Sequence, residues 1–222
     1  SDTPGILGAI ATLAAQAGNY TLAVDATRQT LQLTPNRAIV RIWLAKFLLA
    51  DGNKSSAFEQ MAFALETNPG LDMEIEFVQL LAAADEQQDA LERLDRLNVR
   101  YPDNPDLIRI RGRLAVQWGD LDTAQADFSY LLSAAYFVNE SFWYMGQIAY
   151  LQENYLQAIR YFNLVSSGGW QMLAKNALSQ SYLALGNGEA ALTVQREFAR
   201  QYPKQAIAAL RPQAKILVEM GR

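Results

Sequence analysis

Small and apolar residues recur along the chain with a period of about 34 residues, an interval typical of repeat architectures. Gly18 and Gly52 are separated by the same interval as Pro35 and Pro69. An alanine returns at the same phase six times, at nearly equal steps: Ala23, Ala57, Ala90, Ala124, Ala158 and Ala191. Registered repetition of this kind predicts an array of equivalent supersecondary units, here called repeats.

Each repeat shows two helical apolar patterns separated by a short turn, and we call them its first and second helix. Four of the turns carry a glycine, which tolerates the left-handed backbone that ends a helix: Gly18, Gly52, Gly119 and Gly186. The third repeat departs from this rule, with Asp85 and Glu86 at its turn.

The recurring alanine of the second helix is predicted to mark the closest approach of the two helices in a repeat. Gly112 and Gly146 are the corresponding small residues of the first helix in the fourth and fifth repeats. Phe128 and Phe162 follow the alanine by four residues and fill a large position. The sequence therefore predicts small-against-large packing inside each repeat.

Closing prolines and the recurring alanine set the predicted boundaries. The expected repeats are about 4–37, 38–71, 72–104, 105–138, 139–171 and 172–205, followed by a terminal helix over 206–221. Pro212 is expected near the first turn of that helix or as the cause of a kink in it. Because the array stops half-way through a repeat, we expect it to be a piece of a longer protein. The alternative is that the terminal helix is a cap that solvates the end of the array.

This repeat resembles the tetratricopeptide repeat (TPR), which has about 34 residues, small and large contact positions and a closing proline. The resemblance covers roughly residues 4–222 as a single array. It implies an all-α, right-handed superhelical solenoid of helix-turn-helix units, six plus a half. It also implies that first helices line a concave face that binds a partner protein or peptide.

First-helix positions that do not pack between repeats are the candidate binding residues. Two alternatives stay open: Arg109 pairs with Asp106 on a solvated face, and Trp143 and Tyr150 belong to the core between repeats. The predicted partner-binding set is Lys46, Arg109, Arg113, Trp143, Gln147, Tyr150, Asn176 and Gln180, and Ile42, Ile75, Gln79, Arg211 and Lys215 share its face.

Composition removes most catalytic chemistry from consideration. The chain has no cysteine and no histidine, so thiolate nucleophiles, histidine-based triads and most zinc sites are excluded. We therefore expect no enzyme activity, no cofactor and no metal. A net charge of −4 does not indicate a basic surface for nucleic acid. The sequence has no run of about 18 apolar residues, so no membrane span is expected.

The second half of the chain, with Phe142–Ala149 and Tyr155–Phe162, is similar to bacterial envelope proteins. It resembles proteobacterial TPR lipoproteins that deliver substrates to a periplasmic carboxy-terminal processing protease. That resemblance implies an adaptor function and favours the periplasm, with outer-membrane anchoring of the full-length protein, over the cytoplasm. The alternative is self-assembly, in which the half-repeat docks onto another copy or onto further repeats.

Overall fold

The computed structural model describes residues 3–203 and 206–219, with the side chains of residues 206–211 and 219 outside this description. Within these residues the chain is all-α, and the predicted helical repeat solenoid is confirmed. Its helices are α1 (Thr3–Gln16), α2 (Tyr20–Leu33), α3 (Ala38–Ala50), α4 (Lys54–Thr67), α5 (Leu71–Ala83), α6 (Gln87–Arg100), α7 (Pro105–Trp118), α8 (Leu121–Ser133), α9 (Val138–Leu151), α10 (Tyr155–Leu164), α11 (Trp170–Ala184), α12 (Gly188–Gln201) and α13 (Ala206–Glu219).

The helices group into two compact bodies. The N-terminal body is Ser1–Pro102 and contains α1 to α6, and the C-terminal body is Asp103–Arg222 and contains α7 to α13. Odd-numbered helices are the predicted first helices and even-numbered helices up to α12 are the second helices. The expectation of one continuous array over 4–222 stays a prediction.

Small-against-large packing inside the repeats is as predicted. The six recurring alanines are all 0% exposed. The large position four residues later is also buried in every repeat, although its chemistry varies: Thr27, Met61, Leu94, Phe128, Phe162 and Gln195 are at most 1% exposed. The interior of each repeat is therefore fixed by one alanine and one larger neighbour on the second helix.

All six turns between first and second helices contain a residue in the left-handed region. Glycine occupies this position in four of them, with φ between 73° and 86°. Asp85 and Glu153 adopt the same conformation in the third and fifth repeats, with φ of 62° and 60°. The backbone geometry of the turn is thus common to all repeats, while the residue that adopts it is not.

Side-chain caps begin five of the six second helices. Asn or Asp accepts a hydrogen bond from the backbone N–H three residues on, which satisfies a free donor of the first turn: Asn19, Asn53, Asp120, Asn154 and Asn187. Glu86 takes this place before α6 and makes no such cap. Its carboxylate instead pairs with Lys54 Nζ at 2.6 Å.

Helix α1 presents an exposed apolar stripe, and two positions equivalent to it in the following repeat are buried. Ile6, Ile10 and Leu13 are 61%, 39% and 65% exposed. Val40 and Leu44 lie one repeat after Ile6 and Ile10, and only 2% and 3% of their surface is exposed. The α1 stripe therefore corresponds to a surface that packs between repeats. No helix of the described residues covers this stripe on α1.

The last helix excludes one of the two alternatives expected for Pro212. Pro212 is the seventh residue of α13, so it lies in the helix interior and not in the first turn, and a kink at this residue stays a prediction. Residues 220 and 221, the end of the predicted terminal helix, lie outside the described residues. Within the described part of the chain, no helix combines the length and the apolar character that crossing a membrane requires.

Candidate functional site

A groove of about 470 Å³ in the C-terminal body brings together five of the eight predicted binding residues. They come from α9 and α11, and none of the described side chains that line the groove is charged. Its walls are Val116, Trp143, Gln147, Tyr150, Leu151, Phe162, Leu173, Asn176, Ala177 and Gln180.

Helical spacing explains why these five side chains meet. Residues four or seven apart on a helix lie one or two turns apart on the same face. Trp143, Gln147 and Tyr150 have these spacings along α9, and Asn176 and Gln180 are four apart on α11. Because α9 and α11 are consecutive first helices, two such faces form opposite walls of one groove.

Trp143 belongs to both the groove and the core, so the two alternatives for this residue are not exclusive. Its ring lies 5.4 Å from that of Phe162 and 6.2 Å from that of Trp170, measured between centroids. Tyr150 makes an edge contact with Tyr155 at 5.3 Å. Packing against neighbouring rings immobilises both aromatic side chains before any partner arrives.

Arg109 and Arg113 do not line this groove, and both turn toward Glu140 on α9. Arg109 Nη1 lies 3.5 Å and Arg113 Nε lies 3.9 Å from the carboxylate oxygens of Glu140, whose side chain is 8% exposed. Arg109 also pairs with Asp106 at 3.1 Å, the predicted alternative, and stacks 4.3 Å from the Phe137 ring.

The charges of Arg109, Arg113 and Glu140 act on the pKa of Tyr144. Burial raises the pKa of the Tyr144 hydroxyl above its ordinary value, while the nearby Arg113 acts in the opposite direction. The Tyr144 ring stacks on Phe128 with 4.6 Å between centroids. Tyr144 therefore stays protonated and neutral at physiological pH, and the Arg–Glu cluster is the charged feature here.

The remaining predicted binding residue, Lys46, lies in the N-terminal body and is also paired. Its Nζ is 2.6 Å from Glu76 Oε2, and the lysine side chain is 45% exposed. Ile42, expected on the same face, is 5% exposed and belongs to the core. The side chain of Arg211 lies outside the described residues.

A second groove, of about 710 Å³, runs along the other side of α11, between this helix and α13. Asn176 and Gln180 line both grooves, so they form the ridge between them. Lys215 is the charged residue among the described lining residues of the second groove. The two grooves together extend the candidate site from α9 across α11 to α13.

The sequence analysis missed Gln195, which supports the ridge from beneath. Gln195 is 0% exposed, and its Nε2 donates to Asn176 Oδ1 at 2.9 Å. A signal was present in the sequence, because Gln195 stands four residues after Ala191. At that position the fourth and fifth repeats carry the predicted large phenylalanine, so a glutamine there breaks the pattern.

Comparison with known proteins identifies the fold. No protein-family model and no curated protein sequence matches the chain. Among solved structures, the type IV pilus biogenesis factor PilW matches with a TM-score of 0.64 and 15% identity, over 98% of this chain and 99% of PilW. A tetratricopeptide repeat protein from Parabacteroides merdae matches with a TM-score of 0.59 and 14% identity, over 97% of this chain and 94% of that protein.

A third similar structure is much longer than this chain. Yeast Tom70 matches with a TM-score of 0.69 and 15% identity, over 89% of this chain but only 43% of Tom70. Identities this low establish a shared fold and carry no activity with them. The fold is a helical repeat solenoid of the kind found in TPR proteins.

Proposed function

We propose that this chain is a protein-binding scaffold that holds an uncharged polypeptide segment of a partner in the groove between α9 and α11. The observation that carries the proposal is the lining of that groove. Aromatic and amide side chains converge there, and none of the described lining residues is charged. Its volume of about 470 Å³ lies in the range typical of ligand sites, roughly 300–1,000 Å³.

Each kind of lining residue suits a polypeptide. Immobilised aromatic side chains are the usual anchors of binding energy in protein interfaces. Gln147, Asn176 and Gln180 offer amide donors and acceptors, which match the carbonyl and N–H groups of a bound backbone. Acidic ligands are disfavoured, since none of the described residues that line the groove is positively charged.

Peptide selection on the intact chain tests the proposal. Peptides are selected from a random library on the wild-type protein, and their dissociation constants are measured by calorimetry. We expect Tyr150→Ala and Gln180→Ala to weaken binding by about tenfold each, since interface truncations that matter cost more than about 1 kcal/mol. Selected sequences are expected to be poor in Asp and Glu.

Trp43→Ala is the matched control, because Trp43 is an aromatic residue of α3 that is 42% exposed and lies outside this groove. This variant is expected to bind the selected peptides as the wild type does. Thermal unfolding of all variants checks that the fold is kept. Equal affinity of wild type, Tyr150→Ala and Gln180→Ala would exclude the groove as the binding site.

The more specific hypothesis is an envelope adaptor that presents substrates to a periplasmic protease. Its support is the resemblance of Phe142–Ala149 and Tyr155–Phe162 to envelope TPR lipoproteins. PilW, which matches along its whole length, is described as a pilus biogenesis factor. Capture from an envelope fraction of the source cell, with the intact gene product as bait, tests this. Recovery of a processing protease with wild type and not with Tyr150→Ala is the expected result.

Self-assembly is the second candidate, and the exposed stripe of α1 is the observation that favours it. Helix α1 contains no charged residue, so two copies of it meet without like-charge repulsion. Light scattering over a range of concentrations compares wild type with the double variant Ile6→Ser, Leu13→Ser. A wild-type chain that is strictly monomeric rules this candidate out, and a dimer that the double variant abolishes supports it.

A further inference from the structure

The interior of the sixth repeat is polar where the two preceding repeats are apolar. In those repeats a glycine of the first helix faces a phenylalanine of the second, Gly112 against Phe128 and Gly146 against Phe162. In the sixth repeat Ser179 and Gln195 occupy these places, and they are 3% and 0% exposed. Burying an amide in such a position is costly unless its groups find partners, so an apolar residue would be the simpler choice.

The surroundings of its NH₂ group orient the Gln195 amide, whose Oε1 is buried without a hydrogen-bond partner among the described residues. Its Nε2 lies 3.4 Å from the backbone carbonyl of Lys175 and 3.0 Å from Ser179 Oγ. A backbone carbonyl only accepts, so the group that faces it must be the NH₂ of Gln195. The third neighbour of this NH₂, 2.9 Å away, must then be the oxygen of the Asn176 amide.

This chain of contacts determines which end of Asn176 is available to a ligand. Its Oδ1 is held from below by Gln195, while its Nδ2 has no hydrogen-bond partner among the described residues. Asn176 lies on the ridge between the two grooves and is partly exposed. Two hydrogen-bond donors are thus available at the centre of the candidate site.

We infer that Gln195 is a positioning residue that fixes Asn176 as a donor to a carbonyl oxygen of a bound polypeptide backbone. The inference rests on the proposed function, since it names the ligand group that the same site recognises. A freely rotating asparagine would present its oxygen and its nitrogen equally. Because Gln195 holds Asn176 in one orientation before binding, less conformational entropy is lost when the ligand binds. The fixed orientation also sets the position of the bound backbone.

Gln195→Met is the central variant of the test. Methionine occupies the equivalent position of the second repeat, where Met61 is 0% exposed, so the substitution suits the fold. Peptides selected on the wild-type chain are used as ligands. We expect about fivefold weaker binding, the value of one net hydrogen bond, together with an unchanged or higher Tm.

Coupling between the two residues separates positioning from a general structural effect. Asn176→Ala is expected to weaken binding about as much as Gln195→Met, and the double variant no more than Asn176→Ala alone. Additive losses would overturn the inference. Asn176→Asp keeps the oxygen that Gln195 holds and replaces the donor by an acceptor, so it is expected to weaken binding at least as strongly as Asn176→Ala.

Modified peptides identify the ligand atom. Replacing a backbone N–H by an ester oxygen weakens the adjoining carbonyl as an acceptor. At one position of the peptide, this change is expected to weaken binding to the wild type several-fold and to have no effect on binding to Asn176→Ala. Equal sensitivity of the two proteins at every position would overturn the assignment of a carbonyl ligand.

Nuclear magnetic resonance of the free protein provides a readout that needs no ligand. The side-chain NH₂ resonances of Asn176 are expected to move on Gln195→Met, whereas those of Gln180 stay in place. Thr193→Ala, on the exposed face of α12, is the control and should move neither. Failure of the wild type to select any peptide contradicts the proposed function and this inference together. Peptide binding that ignores Gln195→Met overturns the inference alone.

Discussion

A Cβ atom added to Gly146 would lie 2.6 Å from Cδ1 and 2.9 Å from Cζ of Phe162. The backbone of α9 and the ring on α10 are therefore in direct contact, with no room for a methyl group. The corresponding pair in the fourth repeat is looser, since a Cβ at Gly112 would lie 3.0 and 3.2 Å from two ring atoms of Phe128.

This difference predicts unequal effects of the same substitution. Replacing glycine by alanine in a helix gains up to about 1 kcal/mol from helix propensity, whereas overpacking a core costs about 1–3 kcal/mol. Gly146→Ala is expected to lower the free energy of unfolding by about 1–2 kcal/mol, and Gly112→Ala to be near neutral. Urea denaturation measures both. Adding Phe162→Leu should restore part of the loss in Gly146→Ala, and equal effects of the two alanines would contradict this packing argument.

The turn of the fifth repeat offers a stabilising substitution. Glu153 has φ of 60° and an exposed side chain, so it bears the strain of a left-handed backbone without a compensating contact in the core. Glu153→Gly is expected to raise the free energy of unfolding by about 1 kcal/mol. Gly119→Ala is the reverse control, because Gly119 has φ of 81° and free space around an added Cβ. That variant should lose a similar amount; a gain in stability there would refute the strain argument.

The cap of α8 predicts a dependence of stability on pH. Hydrogen bonds from the side chain and backbone of Thr123 hold the pKa of Asp120 below its ordinary value of 3.8. A carboxyl group with a lower pKa in the folded state stabilises the fold at pH above its unfolded value, and loses this contribution as the pH falls through the folded value. Asp120→Asn keeps a cap of the kind found in four other repeats but does not titrate.

Denaturation of wild type and Asp120→Asn between pH 6 and pH 2 checks this prediction. The stability of the wild type relative to the variant is expected to decline as the pH falls below about 5, where unfolded aspartate begins to protonate. Parallel curves over the whole range would show that the Asp120 carboxylate contributes nothing through its charge.

The contact between Glu140 and two arginines predicts a latent anion site. Glu140→Gln removes the buried countercharge and is expected to cost about 1–3 kcal/mol of stability. Asp106→Asn is the control, because that side chain is 50% exposed and its surface pair with Arg109 is worth at most about 1 kcal/mol. Added sulfate should raise the Tm of Glu140→Gln by more than that of the wild type, which gains only the general stabilisation that sulfate gives folded proteins. An equal gain in the two proteins would show that the substitution creates no anion site.

Much of the fold follows from the sequence because packing between neighbouring helices repeats at a fixed interval. The recurring alanines and the Gly–Phe pairs are direct consequences of that packing, and they are where the sequence predicts them. The turns at Asp85 and Glu153 were the exceptions to the glycine rule, and the sequence analysis noted only the first. Their backbones match the glycine turns, because the αL conformation is accessible to other residues at a cost in energy.

The candidate site was less predictable, since a helical face does not reveal its neighbours. Ile42 occupies the same position in its helix as Trp143 does in α9, yet Ile42 is buried and Trp143 reaches the groove. That Arg109 and Arg113 bind a ligand stays a prediction, and the structure adds a contact of both with Glu140 from the next first helix that the sequence analysis did not foresee. Which partner a side chain finds depends on the residues that face it from the adjacent repeat, and spacing along one helix does not contain this information.

The exposed stripe on α1 also has a consequence for dynamics. The principal neighbour of α1 is α2, whereas α3 packs against both α2 and α4. A helix that is held on one side opens at a lower free energy than a helix that is packed on both sides. Amide hydrogens of α1 should therefore exchange with solvent through local opening, well before global unfolding, while those of α3 exchange more slowly. A protease that cleaves opened helices would cut within α1 before it cuts within α3.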